Sequence, residues 1–403
     1  MSKNEKKKLL IFSWEFEGFN SKQGAALSRR IKQVAESFSD NNWEVVVIHK
    51  DCINECVNCS YKISKFSENI TRIAVKYTEN SNAIQENVLF RKLITYYYVT
   101  FLGDRTYEWT KQVIKLFNEF EIETPDLIMS FFTPRAPLIL GNFYSKKFNL
   151  PWIADLQDEV SEGISKVLIN NNIIWTKNIL KTAKAIVQVS PEWATKDGNI
   201  LGIKINTIRH AIPNETENKT HENVKDESTF NIFYGGSIFK KEQSLYVLKN
   251  VLDKFINSNK NIVLNIAGGE YVYDIFSTAI KENIKINYLG WLNREQYYNA
   301  IYNSDCLLVI PWSFGLRQVI PSKFYELCSL KIPIWIIGNC TGSFNYLLDE
   351  WKHPKIYFDN IEYQTNALQL ALNNDYSKMF NIENCKNKQL FANDLYKEYI
   401  SLI

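Results

Sequence analysis

The feature that most constrains this chain is a pattern that runs twice. Short apolar stretches of strand length alternate with segments of helical periodicity, and one polar stretch separates the two runs. In the first run Leu9–Trp14, Trp43–Ile48, Asp126–Phe132, Trp152–Leu156 and Ala185–Val189 read as strands. Between the first two, a helix from about Ala25 to Ser39 carries Leu27, Ile31, Val34, Ala35 and Phe38 at helical spacing. Residues 214–229, NETENKTHENVKDEST, then hold no large apolar side chain except Val224, which predicts a linker or an exposed loop. The alternation resumes with strands Phe230–Tyr234, Ile262–Ala267, Ile284–Leu289 and Cys306–Ile310, and with helices Leu245–Phe255 and Glu295–Asn303. Strands separated by helices pair in parallel through right-handed crossovers, which gives an open doubly wound sheet.

The sequence therefore predicts an α/β chain of two Rossmann-like, doubly wound parallel-sheet domains facing across a cleft. Residues 1–213 form the N-terminal domain, 214–229 a polar hinge, and 230–385 the C-terminal domain. Residues 386–403 put Leu390, Phe391, Leu395, Tyr399 and Leu402 on one helical face. They predict a C-terminal helix, with a return to the N-terminal domain left open.

Composition narrows the function classes. At 403 residues with 45% apolar side chains there is material for two cores. A formal charge of +3 gives no whole-chain signal for nucleic acid. No apolar run approaches the ~18 residues of a spanning helix. The basic run Lys6–Lys8 is followed only by Leu9–Phe12, too short for a signal-peptide core. Seven cysteines, an odd number, fit reduced thiols, and the expected location is the cytoplasm.

The richest local pattern is VIPWSFGLRQVIPSKFYELCSLKIPIWIIG, residues 309–338: strand, loop, short helix, strand. A strand end feeding a helix N-terminus offers backbone N–H groups to a phosphate. Glu326, one turn into that helix, is placed to accept hydrogen bonds from a pair of sugar hydroxyls. Phosphate plus ribose is a nucleotide.

Taken in order, the motifs resemble those of a bacterial family-4 glycosyltransferase of the GT-B fold, of the type that builds surface polysaccharides. The residues that carry the likeness are Gly18–Gly24 with Arg29 and Arg30, GDRTYEW (103–109), PWIADLQDEV (151–160), YGGSIFKK (234–241), INYLGWLNREQYYNAIYNSDCLLVIP (286–311) and IPSKFYEL (320–327). The resemblance implies a retaining enzyme that moves a sugar from a nucleotide-sugar donor to a hydroxyl of a glycan or lipid-linked glycan. It implies no cofactor and no bound metal, the nucleotide sugar being a substrate, and no nucleic acid partner. Contact with the inner face of the plasma membrane goes with a lipid-linked acceptor. Glu326 matches the family's ribose-binding glutamate, and Gly24, Gly236, Ser313, Phe314, Gly315, Ser322 and Lys323 match its donor-binding loops. A basic side chain is required at the leaving diphosphate, where charge develops. Ser237 stands near the family's arginine position and Lys240 or Lys241 near its lysine, with Lys241 preferred.

Departures from the family pattern are informative. Gln318 occupies the position of a second glutamate, which leaves the sugar open. SFFTPRAP (130–137) lacks a histidine that many members carry. Asp155 and Asp158 are the candidates to accept or orient the acceptor proton, with helix capping the alternative for each.

Three further signals compete. His49, Cys52, Cys56 and Cys59 have spacing suited to iron–sulfur or zinc ligation, with ordinary reduced thiols preferred. Tyr96, Tyr97, Tyr98 and Phe101, flanked by Arg91, Lys92 and Arg105, read first as a helix packing into the core, and alternatively as a patch that lies on a membrane. Trp291 and Trp312 likewise read as core. Two other functions share the architecture or its ligand: a sugar-nucleotide epimerase, and a non-catalytic subunit that binds nucleotide sugar.

Overall fold

The computed structural model describes residues 6–16, 25–51, 56, 59–77, 88–119, 122–160, 168–213, 228–238, 245–253, 261–280, 284–310, 320–328, 330, 332–336, 344, 346–348 and 390–403. The chain divides into two compact units, Met1–Ala211 with Leu390–Ile403, and Ile212–Gln389.

The first unit holds one eight-stranded sheet. Its strands are β1 (Lys7–Phe12), β2 (Trp43–Lys50), β3 (Tyr61–Lys65), β4 (Ile70–Val75), β5 (Leu127–Phe132), β6 (Trp152–Leu156), β7 (Ala185–Gln188) and β8 (Asn206–Thr207). Their spatial order is β3-β4-β2-β1-β5-β6-β7-β8. Every pairing is parallel except β3 with β4. Only four residues separate those two strands, too few for a crossover, so the edge strand must turn back on its neighbour. The sequence reading missed this pair because YKISK carries one isoleucine among polar residues and is largely exposed.

Strand alternation explains why both faces are covered. Leu9 and Ile11 of β1 enter one core with Val45, Val47, Met129, Phe131, Ile153 and Val187. Leu10 and Phe12 enter the opposite core with Ile128, Phe132, Trp152, Ala154 and Leu156. The first core is closed by α1 (Ala25–Asp40), through Ile31, Val34, Ala35 and Phe38. The second is closed by α3 (Tyr107–Glu119), α4 (Ala136–Phe148), α5 (Ile169–Leu180) and α6 (Pro191–Leu201). The helix α2 (Val88–Tyr97) continues into a π turn, Tyr98–Leu102.

The second unit holds a wholly parallel sheet of β9 (Thr229–Gly235), β10 (Asn261–Ala267), β11 (Lys285–Gly290), β12 (Cys306–Val309) and β13 (Ile334–Ile336), in the order β11-β10-β9-β12-β13. Its described helices are α7 (Tyr246–Asp253), α8 (Glu270–Ala279), α9 (Arg294–Tyr302) and α10 (Ser322–Leu327). The start of α9 is fixed by a capping box in which Asn293 and Gln296 satisfy each other's backbone N–H groups. The last helix, α11 (Leu395–Ile400), packs with the first unit, where Leu395 and Tyr399 join the core beside α1.

Each sheet has one point at which the strand order reverses, between β1 and β5 in the first and between β9 and β12 in the second. Open α/β sheets bind ligands outside the carboxyl ends of the strands at that switch point.

Candidate functional sites

In the second unit, β9 and β10 run in register to Gly235 opposite Ala267, so Gly236 and Gly268 leave the sheet side by side. Both have positive φ, +141° and +145°, which side chains rarely tolerate. A Cβ on Gly268 would meet the Gly236 carbonyl oxygen at 2.6 Å. The paired glycines thus let the backbones leaving β9 and β10 approach closely, beside the switch point.

Across from them, α10 follows β12 and carries the predicted residues Ser322, Lys323 and Glu326. The Lys323 ammonium donates to the Gly235 carbonyl at 3.2 Å and lies 4.2 Å above the Tyr234 ring. A Cβ on Gly236 would sit 3.1 Å from that ammonium. Among the described residues no carboxylate forms an ion pair with it, and burial pulls its pKa from 10.5 down to about 7. The residue as a whole is partly exposed, and a cation that burial disfavours is stabilised when an anion arrives. The helix contributes less than expected to this anion site, because α10 has only six residues and Pro321 offers no side-chain cap. Ser322 opens the helix and is partly exposed, and Ser237 is exposed with its carbonyl accepting from the Tyr234 hydroxyl at 2.8 Å.

Glu326 lies three residues after Lys323 and is 5% exposed. Its Oε1 accepts a hydrogen bond from the Tyr298 hydroxyl of α9 at 2.6 Å. Residues three apart on a helix share a face, so one short helix sets a cation and a carboxylate together. Gly24, Lys241, Ser313, Phe314, Gly315 and Gln318 lie outside the described residues, as do Lys240 and Trp312.

In the first unit, three of the sequence motifs meet at strand carboxyl ends. Asp104 of GDRTYEW accepts from the backbone N–H of Arg135 at 2.9 Å, and Arg135, after β5, donates through Nη2 to the Val160 carbonyl at 3.1 Å. Burial lowers the Arg135 pKa, with Asp104 opposing. Asp155 and Asp158 differ sharply. Asp155, on β6, is fully buried, and its Oδ2 accepts from Arg30 Nη2 at 2.9 Å, from Arg30 Nε at 3.2 Å and from the Tyr399 hydroxyl. Its Oδ1 accepts from Gln157. Arg30 also donates to the Ile208 and Arg209 carbonyls, at 2.9 and 2.8 Å. Burial works against the Arg30 charge, yet Asp155 and Tyr399 outweigh it and raise the pKa of the guanidinium. This knot ties α1, β6, the segment just after β8 and the C-terminal helix together.

Asp158 is partly exposed in the turn after β6. Its Oδ2 accepts from the Thr133 hydroxyl at 2.7 Å, and burial raises its pKa against that bond. The Gln188 amide at the end of β7 donates both to the Asp158 carbonyl and to Asp197 Oδ2, at 3.1 Å each. Asp197 of α6 is fully buried with no partner for Oδ1, and burial lifts its pKa from 3.8 to about 6. His210 follows β8; burial, then Arg30 and Arg29, push its pKa well below 6.5. Arg135, Gln188, Asp197, His210, Tyr298 and Tyr399 were not singled out as site residues from the sequence. Only position after a strand end could have flagged the first two and His210, and the tyrosines and Asp197 sit in ordinary helical pattern.

Two expectations are overturned. Tyr96, Tyr97 and Phe101 do not pack into the core: with Leu93 they are exposed on α2 and its π turn, while Tyr98 donates to Glu108 at 3.1 Å. The sheet face is already filled by Trp109, Val113, Leu116 and Phe117 of α3 and by Tyr144 of α4. Trp291 is 50% exposed rather than core. Of the cysteine cluster, Cys52 lies outside the described residues. Cys56 is buried, its thiol pushed up to about 12 by burial, Asp51 and Cys59, and it donates to the Ala74 carbonyl at 3.5 Å. Cys59 is exposed, and among the described residues no three His, Cys, Asp or Glu side chains are grouped to hold a metal. No helix among the described residues is long and apolar enough to cross a membrane.

No protein-family model matches this chain, and no curated protein matches it in sequence. Solved structures do match in fold. HepE of Anabaena, in complex with UDP and glucose, is 14% identical, with 98% of this chain and 100% of that one covered at a TM-score of 0.53. The catalytic domain of starch synthase IV from Arabidopsis thaliana, bound to ADP and acarbose, is 10% identical over 98% of both chains, TM-score 0.61. A Listeria monocytogenes protein named as a UDP-N-acetylglucosamine 2-epimerase is 9% identical over 98% and 95%, TM-score 0.54. The likeness is one of fold: two Rossmann-like domains of the GT-B type.

Proposed function

We propose that the protein is a glycosyltransferase that takes a sugar from a nucleotide-sugar donor. The observation that carries this reading is the pair on α10: Lys323, a partly exposed ammonium beside Gly235 and Gly236 that has no carboxylate partner among the described residues, and the buried carboxylate Glu326 on the same face. The diphosphate takes the place at Lys323 and the ribose hydroxyls that at Glu326. HepE in complex with UDP and glucose, and starch synthase IV bound to ADP and acarbose, share the fold, which supports the ligand class.

The chemistry follows from the groups. The bond from the anomeric carbon to the phosphate oxygen breaks, and its electron pair goes to the diphosphate. Lys323 stabilises that charge in a site of low dielectric. An acceptor hydroxyl forms the new bond at the anomeric carbon and gives up its proton. In the retaining course that the family resemblance implies, departure and attack use the same sugar face and need no protein nucleophile. We place Asp158 at the acceptor hydroxyl, because burial raises its pKa and it lies in a turn at a strand end. Asp155 is assigned to holding the knot with Arg30, both its oxygens being engaged. The acceptor is a glycan or lipid-linked glycan of a bacterial surface polysaccharide. The exposed ridge Leu93, Tyr96, Tyr97 and Phe101 beside Lys92 supports peripheral contact with the inner face of the plasma membrane. No cofactor or metal enters the proposed reaction.

A second reading, sugar-nucleotide epimerisation, is favoured by one observation: the carboxyls of Asp158 and Asp197 are both lifted by burial, and Gln188 ties the two residues by donating to the Asp158 backbone carbonyl and to Asp197 Oδ2. A panel of nucleotide sugars incubated with and without acceptor decides. Acceptor-dependent release of nucleoside diphosphate supports transfer. Acceptor-independent conversion to an epimer supports the second reading, and neither reaction in any member of the panel refutes both.

A further inference from the structure

Glu326 is buried, yet it must present its oxygens in one orientation to recognise a pair of hydroxyls. We propose that Tyr298 is the residue that positions it, so that discrimination between ribose and deoxyribose donors depends on a tyrosine hydroxyl that does not touch the nucleotide. The inference rests on the donor-site reading given above.

Three observations carry it. First, the Tyr298 hydroxyl donates to Glu326 Oε1 at 2.6 Å, a length typical of an O–H donor on an ionised carboxylate, where such bonds are about twice as strong as neutral ones. A bond of this kind to one carboxylate oxygen restrains the rotation of the whole planar group. Second, Tyr298 is itself held. Its ring stacks on Tyr302 with centroids 6.2 Å apart and planes at 27°, and the Arg294 guanidinium lies 5.8 Å over it. The helix that carries all three is locked at its start by the Asn293–Gln296 capping box. Third, α9 and α10 are separate elements of the second unit, α9 entering β12 and α10 leaving the segment after it. The hydroxyl therefore supplies an orientation that α10, only six residues long, does not supply from its own backbone. A side chain that reads a ligand must be fixed by groups behind it, or its binding energy is spent on ordering.

Sequence reasoning had no means of finding this residue, since Tyr297 and Tyr298 stand together in the helical pattern and the pattern does not say which one turns toward α10. The structure separates them: Tyr297 packs against Phe233 and over Gly235, whereas Tyr298 reaches Glu326.

The test is a titration of the full-length protein with UDP, ADP and their 2′-deoxy counterparts, repeated for Tyr298→Phe, Glu326→Ala and the double variant. Removing only an oxygen keeps the ring and its stacking. For the nucleotide that binds, Tyr298→Phe is expected to weaken the ribonucleotide by roughly fivefold while leaving the deoxy form within about twofold, since a charge-assisted bond is lost at the ribose alone. The double variant is expected to be no weaker than Glu326→Ala, because the tyrosine acts only through the glutamate. If Tyr298→Phe weakens both forms equally, or leaves their ratio at the wild-type value while Glu326→Ala changes it, the tyrosine assignment is wrong and the donor site stands. If Glu326→Ala leaves the ratio unchanged, or none of the four probes binds, the ribose reading fails and this inference fails with it.

Discussion

Lys323 offers the sharpest quantitative prediction. In the free protein burial holds its pKa at about 7, with Tyr234 below it pushed up by burial and therefore neutral. The anion-binding form is the ammonium, so apparent affinity scales with the fraction charged before binding. That fraction falls from about nine-tenths near pH 6 to about one-tenth near pH 8, which raises the donor dissociation constant roughly tenfold over this span. A nucleotide sugar is the right probe, because its diphosphate is esterified at both ends and does not titrate there. Calorimetric titration at several pH values is expected to show this weakening, with about one proton taken up per donor bound near pH 8. Lys323→Met is expected to bind weakly at every pH with the slope gone. Lys323→Arg, charged throughout, is expected to keep affinity and lose the slope. An unchanged slope in Lys323→Met would show that the ammonium is not at the phosphate. The sign for stability is the opposite of an ordinary lysine pair. The unfolded chain holds a proton between pH 7 and 10.5 that the fold rejects, so the stability contribution rises with pH across that window and the penalty is full below it.

Other consequences follow from the same geometry. Arg30→Ala leaves Asp155 buried without its cation and is expected to destabilise the first unit by about 3–5 kcal/mol, read from denaturant unfolding; a change near zero would show that the knot is incidental. Asp197 has a folded pKa of about 6 against 3.8, so the stability it contributes is full below 3.8 and lost as pH rises through 6. Asp197→Asn is therefore expected to melt no lower than wild type near neutral pH and to flatten the pH dependence of melting between those limits. Gly268→Ala drives a Cβ against the Gly236 carbonyl at positive φ and is expected to cost about 1–3 kcal/mol and to weaken nucleotide binding as well; binding at wild-type strength would contradict the role given to the paired glycines.

Much of the fold was legible because strand-length apolar runs and helical spacing are local signals. Trp152–Leu156 was bounded to the residue, and Phe230–Tyr234 to within one at each end. The edge strand β3 escaped because an exposed edge strand needs few apolar residues. The tyrosine cluster misled for a related reason: an apolar helix face says that something covers it, and here the core was already full. In the candidate site, Glu326 and Lys323 could be named from the sequence because a helix start after a strand is a local signal. Their partners were not. Tyr298 is 28 residues from Glu326, and Tyr399 is 244 from Asp155, so these contacts come from topology and not from any pattern along the chain. The two aspartates show the limit most clearly. Three residues apart, one on β6 and one in the turn after it, both read as candidates with helix capping as the alternative. Burial and the reach of Arg30 instead make Asp155 a structural ion-pair member and leave Asp158 partly exposed in the turn.

The central claim, that the second unit holds a nucleotide sugar through α10, is tested most directly by titrating a panel of nucleotide sugars into the wild-type chain and Glu326→Ala. At least one member is expected to bind saturably, weakened roughly tenfold or more by the substitution as its ribose hydrogen bonds are lost. No binding by any member, or equal affinity in the two proteins, would contradict it.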